Sequence, residues 1–390
     1  MNRKQLTILL ALVLIVGGAG LAVYHRSASS WEGAPSGKVL GPFALNDVAR
    51  VVIQTNDATL TLEKKNDAWV VRERDDYPAD FARVGNFIQG LWQLKPGQEV
   101  KVGPSQFARL DLLPPAKGTA NTATLVELQN KDSRRMAALL VGKKFLKKSP
   151  EFPDDEGIPA GRYVMAAGAT PPKAALVPER LEEAEPAPAA WLDKAFLRID
   201  RIQSAAVVSG TAQWKLSRAS DTATEWQLDG IQPGEKLDPA KVPSLAGIFG
   251  APSFTDVQPA AAKRDGFDAT ATVNTFDGFT YTLRFGKPDG DKLPMTVAVA
   301  ANLPKERTPG KDEKPEAKQQ LDEQFAATSK RLAETLAKAK ALEARIYLVP
   351  KATFDALWKP GSEFLAAKEQ PAPSPAPSPT PAAASTPGPK

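Results

Sequence analysis

At 390 residues the chain has room for two or three domains with sizeable cores. Its formal charge of +5 comes without any Lys/Arg stripe interleaved with aromatics, which argues against a nucleic-acid partner. The complete lack of cysteine excludes disulfides, thiol catalysis and thiolate metal sites together.

Arg3 and Lys4 precede an uncharged run of 19 residues, Leu6 to Tyr24. At 1.5 Å per residue this is about 28 Å, close to one hydrocarbon core. The reading is a cytoplasmic tip (1–5) and a transmembrane anchor (6–24), with the N-terminus inside by the positive-inside bias. The chain then sits in the bacterial inner membrane, and its bulk is periplasmic. A cleaved signal peptide competes, because small residues recur at Gly17 to Gly20 and Ser27 to Ser30. With no cysteine near the run, a lipoprotein anchor is excluded. Residues 27–44 read as a Ser/Gly/Pro-rich spacer.

A first unit, 45–170, follows. Val51 and Ile53 lead a strand, and Leu60 and Leu62 alternate with polar neighbours. Lys65-Asn66-Asp67 supplies a turn, and Trp69 and Val71 resume the alternation, so a hairpin with one buried face is expected. Asp80 is the expected N-cap of a helix whose Phe81, Val84, Ile88 and Leu91 share one face. Strands are expected from Ala123 to Leu128 and from Met136 to Val141, ending at Gly142-Lys143. Residues 171–190 hold five prolines and read as a connector.

The second unit, 191–366, reads as a copy of the first. Trp69 and Trp226 lie 157 residues apart, Val84 and Val242 lie 158 apart, and Leu110 and Phe267 again 157. A long fixed period means a duplicated unit. Asp238-Pro239 is the expected helix start, and Asp277-Gly278 the expected turn of a hairpin ending at Gly286-Lys287. Within this copy a helix of roughly 28 residues is expected over 317–344. Its Leu321, Phe325, Leu332, Leu336 and Leu342 form a narrow seam near coiled-coil spacing. Residues 367–390 are Pro/Ala/Ser-rich and read as an extended, solvated, disordered tail. The expected fold class is therefore α+β: one N-terminal transmembrane helix and two tandem repeats, each an antiparallel sheet with a helix on one face.

Chemistry-bearing residues are sparse. His25, the single histidine, falls at the membrane edge, so neither a Ser-His-Asp triad nor a zinc site of the usual composition is expected. Gly142-Lys143-Lys144 and Gly286-Lys287 lack the glycine spacing and following Ser/Thr of a phosphate loop and read as turns. Lys143, Lys144, Lys147 and Lys148 flank Phe145-Leu146 and are of a kind to touch anionic headgroups. Asp154, Asp155 and Glu156 lie close enough to screen them, which favours a solvated loop. Trp69 and Trp226 share the inward phase of Val71 and Leu228 and read as core rather than stacking platforms. Asp111 and Asp268 recur at equivalent positions; half of a catalytic carboxylate pair and a turn-capping role both account for them, the second more simply. No catalytic, cofactor-binding or metal residue is assigned.

The blocks "DATLTLEKKNDAWVV", "YPADFARVGNFIQGLWQL" and "FARLDLLPPA" resemble the bacterial domain-of-unknown-function 4340 family over roughly 45–366. The resemblance implies a membrane-anchored, exported protein. It also implies an association with components of an ABC transporter related to gliding-motility auxiliary proteins. No functional residues carry over from the family. The expectation is a non-enzymatic accessory or scaffolding subunit, with the inner membrane and transporter or envelope proteins as partners, and no cofactor. Two alternatives stand beside it: a module binding a small molecule or glycan between the two units, and an envelope hydrolase.

Overall fold

The computed structural model describes residues 37–147, 157–210, 212–259, 266–310 and 313–366. The first unit, up to Ala195 with the short stretch from Phe254, is built on one antiparallel sheet. Its strands are β1 (Arg50–Gln54), β2 (Thr59–Lys65), β3 (Ala68–Val71), β4 (Tyr77–Pro78) and β5 (Gln98–Val100), then β6 (Thr124–Gln129), β7 (Arg135–Lys147), β8 (Ile158–Ala166) and β9 (Ala174–Val177). They run in the order β4-β3-β2-β1-β6-β7-β8-β9-β5. The alternation legible in the sequence decides which face is core: Val51, Ile53, Leu60 and Leu62 are fully buried. The β2–β3 turn needs positive φ at both central residues, and Asn66 (φ 48°) and Asp67 (φ 65°) tolerate it.

Helix α1 (Phe81–Gln93) begins where its cap dictates, the Asp80 carboxylate accepting from Arg83 N–H at 3.0 Å. Its buried face is Val84, Phe87, Ile88 and Leu91. Phe81 belongs to the expected face but is 68% exposed, and Phe87 takes its place, edge-on to Trp191 at 5.2 Å.

The second unit holds Phe196–Ser253 and the described residues from Gly266 on. The second sheet comprises β10 (Ile202–Val208), β11 (Gln213–Ser217), β12 (Gln227–Leu228) and β13 (Asp256–Gln258), then β14 (Ala269–Thr275), β15 (Phe279–Phe285), β16 (Lys292–Ala301) and β17 (Ile346–Pro350). The order is β12-β11-β10-β14-β15-β16-β17-β13. Strand for strand this is the order of the first sheet, except that β4 has no counterpart. Register agrees locally: Leu62 faces Val71 across β2–β3, and Leu216 faces Leu228 across β11–β12. Asp277-Gly278 makes the β14–β15 turn, with Gly278 at φ 82°; a Cβ there would come within 2.6 Å of Asn302 O.

Three helices complete this unit: α2 (Lys241–Gly250), α3 (Pro315–Ala341) and the single turn α4 (Lys351–Phe354). Asp238 does not cap α2 as expected; its carboxylate accepts from Ala240 N–H at 3.0 Å, and the helix starts after Ala240. Helix α3 matches the expected 317–344 closely, its last three positions becoming a 3₁₀ turn (Leu342–Ala344).

The expected fold class needs correction. The described residues form two mainly antiparallel sheets of nine and eight strands with few helices, rather than an α+β fold of paired sheet-and-helix repeats. The sheets grew at the expense of segments the sequence marks as loops and turns. β7 continues past Gly142, and β9 lies inside the Pro-rich 171–190 stretch because Ala174 and Val177 are fully buried. Among the described residues no helix is long and apolar enough to cross a membrane; the run Leu6–Tyr24 lies outside them.

Candidate functional site

The missing counterpart of β4 opens the most distinctive surface of the second unit. After β3 the first unit needs only a short 3₁₀ turn (Arg72–Arg74) before β4 pairs back, Val70 opposite Pro78. Ala79 N–H donates to Trp69 O, and Trp69 ends 6% exposed. After β12 the connection to α2 instead runs through Gly230, Pro233 and Gly234, with both glycines at positive φ, and it does not return as a strand. Trp226, two residues before Leu228 as Trp69 is two before Val71, is left half-buried.

Trp226 lines a cleft of about 1050 Å³. Leu228, Ile231, Leu237, Pro239 and Val242 supply the rest of its apolar wall. Ile231 is 37% exposed on this lining. Glu225, Asp229 and Glu235 put three carboxylates on the lining against one amine, Lys236. The Trp226 ring is steadied by Arg218, whose guanidinium sits 5.4 Å from its centroid and 5.3 Å from that of Phe276. Arg218 is itself pinned by Nε donating to Ile202 O at 2.7 Å and by an ion pair with Asp221 at 3.1 Å. A partly exposed tryptophan backed by a fixed cation, beside proline and branched aliphatics, suits an extended chain or a flat ring. The core reading of Trp226 is therefore corrected, while that of Trp69 stands on its burial.

A second surface is the first half of α3. Only Leu332 and Ala339 are buried; Phe325 is partly covered and Leu321 is 39% exposed. The C-terminal half packs on β16, and Glu343 just beyond accepts from Val299 N–H at 2.7 Å. The approach is held by Arg307, which pairs with Glu313 and reaches Asp322 at 2.6 Å. Those two carboxylates keep its guanidinium above its ordinary pKa, and Arg307 in turn holds the Glu313 carboxyl below the usual carboxylate value.

The remaining residues singled out in the sequence are scattered. Gly142 is not a turn: it sits inside β7 at a register shift, where a Cβ would run into Leu110 O. Arg162 Nε donates to Gly142 O at 2.7 Å, and burial lowers the Arg162 pKa below its ordinary value. Lys143, Lys144 and Lys147 are exposed around a half-buried Phe145, while Lys148 and Asp154–Glu156 lie outside the described residues. Gly286 follows the end of β15, its N–H bonded to Pro294 O at 2.8 Å. Asp111 ends a 3₁₀ helix in the left-handed conformation, the turn-capping role. Asp268 is exposed immediately before β14. His25 lies outside the described residues. Among the described residues no group of three or more His, Asp or Glu is placed to hold a metal ion.

A family model for a domain of unknown function, DUF4340, matches residues 69–250. Residues 69–250 form a DUF4340 domain. The DUF4340 match begins at Trp69, takes in β10 to β12 with Trp226, and ends with α2, so most of the cleft wall lies within it. No curated protein and no solved structure matches the chain. Sequence reasoning missed the cleft because its opening depends on a strand that fails to form, and no residue pattern marks an absent strand.

Proposed function

We propose that this DUF4340 protein is a non-enzymatic accessory subunit of an extracytoplasmic assembly, tethered at the inner membrane by its N-terminal apolar run. Its partners would be envelope proteins or the membrane subunits of an ABC transporter. The observation that carries the reading is the contrast at one register position. Trp69 is buried in the strand that β4 pairs with, whereas Trp226 is only partly buried and lines a cleft of about 1050 Å³ with Ile231. Aromatic anchors in desolvated pockets are where protein interfaces concentrate their binding energy. The exposed start of α3, with Leu321 and Phe325 in one seam, offers a second contact for the same partner.

The test is affinity purification of the full chain from detergent extracts, comparing wild type with Trp226→Ala. Transporter membrane subunits are expected with the wild type and lost with the variant. Equal recovery from both would refute the role of the cleft.

Capture of a small molecule or glycan is the second reading, favoured by the fit of an aromatic-lined volume to a sugar ring. It would sit within the second unit. A rise in melting temperature with an oligosaccharide panel, abolished by Trp226→Ala, would select it.

A further inference from the structure

The described chain ends on the rim of this cleft. Asp238 N–H donates to Phe364 O and Ala366 N–H donates to Lys236 O, each at 2.8 Å. Leu237 and Leu365 form the bridge between them, antiparallel. Lys241 Nζ clasps the same segment, donating to Glu363 O at 2.8 Å and Leu365 O at 3.3 Å. Phe364 packs edge-on against Trp214 at 5.2 Å, and Trp214 Nε1 donates to Leu357 O at 3.0 Å, so the departure point is fixed. Residues 364–366 run antiparallel to 236–238, so the described chain ends beside Lys236 and Leu237 of the cleft lining.

The residues that follow have one chemistry. From Pro371 to Pro381 proline stands at every second position, in a segment of Ala, Ser and Thr. Such a stretch has half its backbone donors removed and cannot extend the ladder begun at Leu365. It favours the polyproline II helix, which pays little entropy on binding and is recognised by aromatic-lined grooves. Ala366 is bonded to a residue that lines such a groove, with Trp226 and Pro239 in the wall. Four residues separate Ala366 from Pro371, a reach of up to about 17 Å in extended chain.

We propose that residues 367–390 occupy the Trp226 cleft in cis, seating the alternating prolines on the indole and the apolar wall. Tethering makes the effective concentration of the tail millimolar, so a weak intrinsic affinity is enough to fill the site. The tail is then a built-in competitor: a partner gains access by displacing it, and its apparent affinity is reduced by the fraction of cleft already filled. This deepens the reading of the cleft as a protein-binding site and rests on it.

The chain has no native cysteine, which allows a direct test on the full protein. Thr224→Cys in the cleft wall is combined with Ser374→Cys in the tail, and intramolecular disulfide formation is timed under mild oxidation. The proposal expects fast closure, slowed at least about tenfold by Trp226→Ala. It expects the same slowing when the prolines from Pro371 to Pro381 are changed to serine. That second variant leaves the folded cleft intact, so it decides the matter if Trp226→Ala disturbs folding. Slow closure in the parent, or closure unaffected by the proline changes, overturns the proposal. The accessory reading is judged separately by partner recovery. Tail-serine variants should recover more transporter subunit than wild type. Partner recovery without cross-linking would refute the tail alone.

Discussion

Trp69 and Trp226 are the same residue type two positions before the same register point, yet their surroundings assign them opposite work. Trp69 is buried, so Trp69→Ala should cost about 3–5 kcal/mol, the range for truncating a buried aromatic. Trp226 is only partly buried, so Trp226→Ala should cost less, about 1 kcal/mol. Urea midpoints of the two variants check this; equal losses would mean that Trp226 is core after all. A charged cluster on the β1–β2 face gives a second residue-scale expectation. Hydrogen bonds from Arg50 first, and then from Arg72, hold the Glu63 carboxyl below its ordinary value of 4.5. A depressed folded pKa contributes stability above the unfolded value and loses it as the pH falls through the lowered one. Wild type should therefore weaken below pH 4.5 more steeply than Glu63→Gln, by only a modest amount because the group is solvated. Parallel slopes in chemical denaturation below that pH would contradict this.

Elements show what was legible in the sequence and what was not. Alternation placed Val51, Ile53, Leu60 and Leu62 on the core face, and Asp80 placed the start of α1, because both signals are local and each has one structural solution. Gly142 misled, since a glycine at a bulge under close backbone approach looks like a turn when its neighbour, Leu110 O, is remote in sequence. Gly142→Ala should destabilise the first unit by about 1–3 kcal/mol, as overpacking does, read as a fall in melting temperature. Short strands such as β9 were hidden among prolines, where burial and not pattern decides. Helix α3 was legible in length and composition, yet only its burial reveals that its first half is largely exposed. Replacing residues 305–341 by a short Gly/Ser loop, keeping Glu343 on Val299, should leave a folded protein with a smaller helical signal and weaker partner recovery. Loss of cooperative unfolding would show that α3 is part of the core.

For the whole molecule, two sheets of nearly identical strand order differ where β4 is present in one and absent in the other. The absence costs the second unit a sealed corner and leaves a cleft whose rim is shared with the point at which the tail departs. The sequence carried both Trp226 and the proline-rich tail, but nothing in it said that the last described residues lie beside the cleft; the bridge between Leu237 and Leu365 shows that. The central claim is that this cleft is where the protein meets its partner. It is tested most directly by placing a photo-reactive amino acid at position 224 of the cleft lining, with Trp226 kept, in the full chain in cells, and with the exposed position 81 as control. Irradiation should give an adduct with a transporter or envelope subunit from position 224 and none from position 81. No adduct from 224, or the same adducts from both positions, would contradict the account.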